Sequence, residues 1–248
     1  MKLFNSHMKA KSVPPAFSVV ELIHKAMRLS SLDGRSPVRY LSLGGDKPRT
    51  RTGMKWNPSS VRGCARKAVY KAYGVRPYAG HEVGPEDQMV FDRGTVIGAW
   101  VAAYFRALED YGVVSNVRAQ VEGRDEVLAT LPEAGLGGFV DVIFTYEGED
   151  YVIEVKSKDS DAALDKLSSP SDDHLGQLND YMRMTGVHRG WVLYAGLCEN
   201  SKGRQSLRFK EFPHAFSWTL WDNTERRTSS LNQLLAVPTR MPPGASNK

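Results

Sequence analysis

Two carboxylates and a lysine, spaced as they would be on neighbouring strands, are the residues of this sequence best suited to chemistry. Glu154 and Lys156 are two residues apart in the apolar segment 151–156, and side chains two apart on a strand point to the same face. Asp141 lies in the preceding apolar segment, and the polar residues 147–150 suit a turn between the two segments. A tight hairpin would place Asp141 opposite Glu154 and Lys156.

Carboxylates that meet in this way are suited to a hard divalent cation. Mg²⁺ takes carboxylate, carbonyl and water oxygens, so Asp141, Glu154 and the Val155 carbonyl could form the protein part of its shell. The cation would lower the pKa of a bound water and polarise a phosphate, while Lys156 would stabilise the developing negative charge. A strand with a solvated salt bridge is the commoner reason for such a pattern. Charges that alternate with apolar residues such as Ile153 on a buried strand are costly unless they are used or paired.

The elements that would position these residues follow from the hydrophobic periodicity. The periodicity predicts helices over residues 16–32, 61–73, 86–111, 173–185 and 223–235, and strands over residues 117–122, 138–146, 151–156, 190–195 and 205–212. The first three strands follow one another directly and predict a meander. The order of helix, three strands, helix and strand predicts an α/β (α+β) protein with a central mixed sheet flanked by helices.

The charge is distributed unevenly along the 248 residues. Residues 1–80 hold 16 Lys or Arg against 3 Asp or Glu, while the remainder holds 17 against 25. A basic segment of this kind is typical of a protein that neutralises phosphates, and a solvated basic tail explains it equally well. The length predicts one domain over residues 16–236, in which a basic helical part (16–112) overlaps the catalytic core (86–212). We expect a flexible arm at 1–15 and a disordered tail at 237–248.

Several classes of protein are disfavoured by what the sequence lacks. No apolar run has the length of a membrane span and the start has no secretory pattern, so we expect a cytoplasmic protein without a membrane partner. The His and Ser residues form no zinc motif or nucleophile elbow, and no glycine-rich loop follows a strand. Cys64 and Cys198 lie far apart, and we expect each to be a reduced, buried packing residue.

Three blocks of the sequence resemble those of a known nuclease family. They are Gly138-Phe139-Val140-Asp141, Glu154-Val155-Lys156 and Gln177-Leu178-Asn179-Asp180-Tyr181, the last preceded by His174. Together they resemble the Gly-x-x-Asp, Glu-x-Lys and Gln-x-x-x-Tyr motifs of the RecB-like exonucleases, a branch of the PD-(D/E)xK superfamily that includes phage exonucleases and CRISPR-associated adaptation nucleases. The resemblance covers about residues 58–196.

The resemblance implies a function and a set of residues. The implied fold is a restriction-endonuclease-like core with helical additions at the N-terminus. The implied function is that of a Mg²⁺- or Mn²⁺-dependent deoxyribonuclease, and the resemblance favours an exonuclease over an endonuclease. Gln177 and Tyr181, four apart on one helix face, would join Asp141, Glu154 and Lys156 in the catalytic site. It also suggests a setting in phage or bacterial recombination and repair, with recombination or replication proteins or a second copy of the chain as partners.

Two departures from the family pattern affect metal binding. A fourth block, residues 58–70, resembles a segment whose cysteine holds an iron-sulfur cluster in some members; here only Cys198 follows Cys64, so we predict no cluster. Family members often carry Gly-x-x-x-His in the helix before the sheet, whereas this chain has Gly98 in place of the His. The third ligand would then be water, Glu122 or Asp92.

The DNA contacts are predicted from the basic segment and the family blocks. The candidates are Arg51, Lys55, Arg62, Arg66, Lys67 and His174 for the backbone, and Trp56 for stacking on a single strand. Two other functions stay open: a DNA-binding or assembly module that keeps the fold without turnover, which Gly98 favours, and a structure-specific endonuclease for junctions.

Overall fold

The protein is described here from a computed structural model, over residues 13–37, 53–74, 84–119, 127–199 and 205–236. Its helices are α1 (Val19–Leu32), α2 (Pro58–Val61), α3 (Ala65–Ala72), α4 (Pro85–Asp110), α5 (Asp161–Asp165), α6 (Asp172–Thr185) and α7 (Trp218–Ala236). Its strands are β1 (Ser115–Ala119), β2 (Val127–Leu131), β3 (Leu136–Val140), β4 (Val142–Tyr146), β5 (Glu149–Lys158), β6 (Arg189–Glu199) and β7 (Gln205–Ala215). Residues 1–12 of the predicted arm, the predicted tail, Arg51 and Glu122 lie outside the described residues.

A five-stranded mixed sheet in the order β1-β4-β5-β6-β7 lies at the centre. Its neighbours are antiparallel except β5 and β6, which are parallel. A parallel pair needs a crossover, and the segment with α5 and α6 provides it. The predicted fold class, a mixed α/β arrangement with a central sheet between helices, is confirmed.

The alternation of side chains along β5 separates two apolar layers. Tyr151 and Ile153 belong to the layer beneath α1 and α4, whereas Val152 points to the other face and packs with residues of α6 and α7. Glu154 and Lys156 follow Val152 at spacings of two, so they lie on the α6 face. Position along the strand therefore decides that these two charged residues meet α6.

The segment predicted as one strand, 138–146, is divided at Asp141. β4 continues in the central sheet, whereas β3 pairs with β2 in a separate two-stranded sheet. The three predicted strands pair as an antiparallel meander, β1-β4-β5, but the connection from β1 to β4 contains the additional strands β2 and β3, which were not predicted. The close approach of Gly138 to two other segments fixes where β3 lies: an added Cβ would come within 2.9 Å of Pro58 and 3.0 Å of Tyr181.

Helix α4 contacts the rest of the protein mainly through its second half. Ile97, Val101 and Phe105 are buried, whereas Met89 and Val90, expected on the same apolar side, are exposed. The apolar residues in the first turns of α4 therefore do not belong to the face that packs against the core. No helix among the described residues is long and apolar enough to cross a membrane.

The basic segment near the N-terminus is also different from its prediction. The helix predicted over 61–73 is interrupted after α2, and Cys64, just before α3, is exposed rather than buried. Trp56 is 2% exposed, pairs through its backbone with Leu136, and donates from its indole to Asn232 of α7 at 3.1 Å. Its predicted role in stacking on DNA is wrong, because no face of the ring is available.

Candidate active site

Asp141 lies at the point where β3 and β4 separate, and its side chain reaches the neighbouring strand. The last pair of β4 and β5 is Val142 with Ile153, so Asp141 is opposite Glu154, as the hairpin count predicts. Beyond that pair, Oδ2 of Asp141 accepts a hydrogen bond of 2.8 Å from the Val155 N–H. The N–H and C=O of a strand residue point to the same edge, so the Val155 carbonyl also points towards Asp141.

Glu154 and Lys156 form a buried ion pair on the same face of β5. Lys156 Nζ lies 2.6 Å from Glu154 Oε1, and Glu154 is 3% exposed. Oε2 of Glu154 is buried with no hydrogen-bond partner among the described residues. Burial, and then the charge of Asp141, raise the pKa of Glu154 to about 8. Burial alone would lower the pKa of Lys156, but Glu154 raises it above its ordinary value, so Lys156 is charged.

Helix α6 brings the fourth and fifth predicted residues to the same place. Gln177 accepts a 3.0 Å hydrogen bond from Lys156 Nζ, and its own amide lies 3.5 Å from the Tyr181 hydroxyl. Burial, together with the charges of Glu154 and Asp141, raises the pKa of Tyr181, so its hydroxyl keeps its proton. The structure thus places all five predicted catalytic residues in one connected cluster.

This cluster opens on a cleft of about 690 Å³ between the sheet and α4. One wall carries Asp141, Val155, Lys156 and Gln177. The lining residues on the α4 side are Phe91, Gly94, Thr95, Gly98, Ala99 and Ala102. The sheet wall is therefore charged, and the α4 wall is uncharged.

The donor set fits a hard divalent cation, with fewer protein ligands than a closed site. The described residues contain no group of three or more His, Cys, Asp or Glu that could hold a metal. Asp141, Glu154 and the Val155 carbonyl nevertheless provide oxygens only, and the unpartnered Oε2 of Glu154 is a buried acceptor that a cation would satisfy. Gly98 lines the cleft with no side chain to offer, so water and a phosphate would complete the shell.

A second buried charge cluster lies on α6 beside the first. Arg62 Nη2 donates to Asp180 at 2.7 Å and to Thr224 at 2.6 Å, and the Thr224 hydroxyl donates to the other Asp180 oxygen at 2.7 Å. Arg62 passes directly over Gly176, where an added Cβ would come within 2.1 Å of the guanidinium. The predicted phosphate contact of Arg62 is therefore wrong, since this guanidinium joins the α2–α3 segment to α6 and α7.

The other predicted DNA contacts fall into two groups. Lys55, Arg66 and Lys67 are exposed, and their role stays a prediction. His174 is half-buried with Nδ1 2.7 Å from the Tyr194 hydroxyl, and burial and the nearby Lys156 lower its pKa to about 4. His174 is therefore neutral at neutral pH in the unliganded protein, and its role in DNA contact stays a prediction.

Of the two candidate third ligands, the structure describes Asp92, which is exposed and accepts a hydrogen bond from Gln88 at 2.7 Å. It is outside the residues that line the cleft, so it does not join the site in this conformation. Sequence reasoning missed Ser59 and Phe91, which do line it. The spacing of Phe91, Gly94 and Gly98, which puts them on one helix face, could have indicated that Phe91 lies beside the cleft.

No protein-family model matches the chain, and no curated protein matches it. Solved structures with some likeness are SSO0001 (TM-score 0.41, 13% identity, covering 90% of this chain and 89% of that one) and the alkaline exonuclease LHK-Exo of Laribacter hongkongensis (TM-score 0.46, 18% identity, 75% and 89%). LHK-Exo in complex with dAMP has a TM-score of 0.48 at 16% identity, covering 74% and 88%. At these values the likenesses carry no functional argument.

Proposed function

We propose that the protein is a metal-dependent deoxyribonuclease of the RecB-like type that hydrolyses phosphodiester bonds at the Asp141–Glu154–Lys156 cluster. The observation that supports this most is the buried Glu154, which has one oxygen paired with Lys156 and the other unpartnered, and whose pKa is raised in part by the charge of Asp141. Two carboxylates held together in a buried place repel each other, and a divalent cation would relieve that repulsion. Mg²⁺ or Mn²⁺ fits the all-oxygen donor set.

Each residue of the cluster has a role that follows from its position. Asp141 and Glu154 would hold the cation, with the Val155 carbonyl beside them. Lys156, held between Glu154 and Gln177, places a positive charge at the mouth of the cleft, where it would attract the scissile phosphate and stabilise the charge that develops during attack. Gln177 keeps the ammonium in that orientation, and Tyr181 packs behind Gln177.

The reaction is the hydrolysis of one P–O bond. A water oxygen forms the new bond to phosphorus, the bond to the leaving sugar oxygen breaks, and the water proton replaces phosphorus on that oxygen. A bound cation would supply a water of lowered pKa and neutralise phosphate charge. A cleft of about 690 Å³ is within the roughly 300–1,000 Å³ of small-ligand sites. It therefore suits a nucleotide at a strand end, which favours an exonuclease.

The exposed basic residues of α3 extend the cleft. Ser59 lines both the cleft and an adjoining pocket of about 240 Å³ that contains Lys67 and Lys71. These lysines are four apart, so they share a helix face and could contact consecutive phosphates. The strand would then leave the cleft past Ser59.

The rival function, a DNA-binding module without turnover, is motivated by Gly98 and by the small number of protein ligands. The two proposals are separated by digestion of end-labelled linear and closed circular DNA, single- and double-stranded, with Mg²⁺, Mn²⁺ or EDTA. We expect metal-dependent loss of linear DNA by the wild-type chain, and loss of that activity in Glu154→Gln and Lys156→Met.

Glu149→Gln is the matched control, because Glu149 lies on the same strand in an exposed pair with Arg189, away from the cleft. It should retain wild-type activity. Cutting of closed circles would identify an endonuclease. Folded wild-type protein that binds DNA but degrades none with either metal would replace the nuclease proposal by the binding module.

A further inference from the structure

An exposed phenylalanine stands on the uncharged wall of the cleft. Phe91 is 58% exposed, and it follows Met89 and Val90, which are exposed as well. Consecutive helix residues point about 100° apart, so these side chains face different directions. Phe91 lines the cleft, whereas Met89 and Val90 are not among the lining residues.

The spacing of the lining residues shows that one face of α4 forms this wall. Thr95, Gly98, Ala99 and Ala102 follow Phe91 at intervals of four, three, one and three, and Gly94 completes the same stripe. All of these except Phe91 are small. An added Cβ at Gly98 would meet nothing within 4 Å, so the cleft is open beside this part of the wall, and the Phe91 side chain is itself exposed.

The two walls together define the chemistry of an occupant. The sheet wall offers a charged lysine and the Asp141 carboxylate, with the buried Glu154 next to Lys156 behind them; with a bound cation this would be a place for a phosphate. The α4 wall offers an aromatic face next to open space without charge. A molecule that satisfies both has an anionic group and a flat apolar group a short distance apart, and a nucleotide has both.

We propose that Phe91 is a base-stacking residue, which packs against the nucleobase next to the phosphate that lies at Lys156. The inference rests on the proposed nuclease function and adds to it the part of the substrate that the α4 wall recognises. Every base has an aromatic face, so stacking of this kind holds a strand without reading its sequence. It also requires an unpaired base, so the substrate in the cleft is a single strand or a frayed end.

The test uses two ligands that lack a phosphodiester and therefore cannot be turned over: thymidine monophosphate and 2-deoxyribose 5-phosphate. They share the phosphate and the sugar and differ by the base. Titration calorimetry with Mg²⁺ measures the affinity of the wild-type chain and of Phe91→Ala, Phe91→Leu and Met89→Ala for each. Phe91→Leu keeps an apolar side chain but removes the aromatic face, and Met89→Ala removes an exposed side chain that does not line the cleft.

We expect the wild type and Met89→Ala to bind the nucleotide about tenfold more tightly than the sugar phosphate, a difference typical of one stacked base. Phe91→Ala should lose that preference, and Phe91→Leu most of it, while binding of the sugar phosphate stays the same. A full preference in Phe91→Ala or Phe91→Leu overturns the proposal, as does equal loss for both ligands. So does a wild-type chain that binds neither ligand.

DNA digestion by the same variants separates this inference from the proposed function. If the wild type degrades DNA and Phe91→Ala degrades single strands equally well, the stacking proposal fails and the nuclease proposal stands. If stacking is correct, Phe91→Ala lowers kcat/KM on single strands about tenfold and Met89→Ala does not. Because the Phe91 side chain is exposed, its replacement should leave the fold intact. The melting temperature of each variant checks this.

Discussion

Two buried carboxylates, Asp180 of α6 and Glu154 of the strand β5, have opposite surroundings. Asp180 is fully buried, and each of its oxygens accepts a hydrogen bond, one from Arg62 and the other from Thr224. Glu154 is 3% exposed and has Lys156 on one oxygen only. The first is closed inside the protein, whereas the second belongs to a cluster that opens on the cleft.

The difference distinguishes a structural charge from a reactive one. Burial is the main cause of the raised pKa in both, about 6 for Asp180 and about 8 for Glu154. At Asp180 the charge of Arg62 opposes that rise, while at Glu154 the charge of Asp141 adds to it. A buried charge that the fold itself compensates can be kept inside the protein at a lower cost, whereas one left partly uncompensated next to a cleft is available to a ligand.

Removing the partner of the structural carboxylate should have the largest effect. Arg62→Met leaves Asp180 buried without its cation, which we expect to lower the free energy of unfolding by about 3–5 kcal/mol. The exposed Arg66, four residues along, is the control, and Arg66→Met should change it by less than about 0.5 kcal/mol. Urea denaturation measures both. Equal stability of the two variants would show that Arg62 does not serve the fold.

Neutralising a carboxylate of the other cluster should affect turnover and leave the fold intact. In Asp141→Asn the amide oxygen can still accept the Val155 N–H, but a charge that would hold the cation is lost. We expect hydrolysis of linear DNA with Mg²⁺ to fall by about 10²- to 10³-fold, with the melting temperature little changed. If Asp141→Asn unfolds the protein as Arg62→Met does, the distinction between the two clusters is lost.

Substitution of Gln177 tests the hydrogen bond that holds Lys156 in place, and not the charges of the reactive cluster. Gln177→Leu removes the acceptor that orients Lys156, and the loss of such a supporting contact typically costs about 10- to 100-fold in activity. The effect should appear in kcat more than in KM, since the ammonium acts on developing charge. Tyr181→Phe should cost less, because its hydroxyl lies 3.5 Å from the Gln177 amide. A larger loss in Tyr181→Phe would give Tyr181 a direct role.

The pH dependence of stability should change most gradually, because the change is spread between the unfolded and folded pKa values of Asp180. Folding raises the pKa of Asp180 from 3.8 to about 6, so the folded protein binds that proton more tightly than the unfolded chain. Its contribution to stability is present below about pH 4 and is lost as the pH rises to about 6, with a slope of at most about 1.4 kcal/mol per pH unit. Denaturation from pH 4 to 7 should show this fall in the wild type and a flatter profile in Asp180→Asn. Identical profiles would mean that Asp180 stays ionised.

Much of the fold could be read from periodicity. The strand pairs around the site and the helix that carries Gln177 lie close to their predicted positions, because alternation and helical spacing are local properties of the chain. The break at Asp141 could not be read in this way, since the residues on both sides of Asp141 within 138–146 are mainly apolar and suit one continuous strand. That break depends on Gly138 packing against Pro58 and Tyr181, which are far from it in sequence.

The roles of the basic segment could be predicted least. Arg62 and Trp56 looked like DNA contacts from their composition and neighbours, yet each is used inside the protein by a partner more than 100 residues away. The prediction for the first turns of α4 was wrong in the opposite way, because Met89 and Val90 are exposed although the periodicity placed them on the apolar side of the helix. Burial depends on which elements pack together, and a single local segment does not contain that information.

The sequence by itself determined which side chains share a face and which strands turn back on each other, and so brought Asp141 opposite Glu154 and Lys156. The geometry of a strand and a tight turn fixes these relations over a few residues. Only the tertiary structure decided that Glu154 is buried with one oxygen unpartnered, that Asp180 is compensated, and that Phe91 stands free on the facing wall. Each of those depends on contacts between segments distant in the chain, and such contacts set the burial and electrostatic environment of a group.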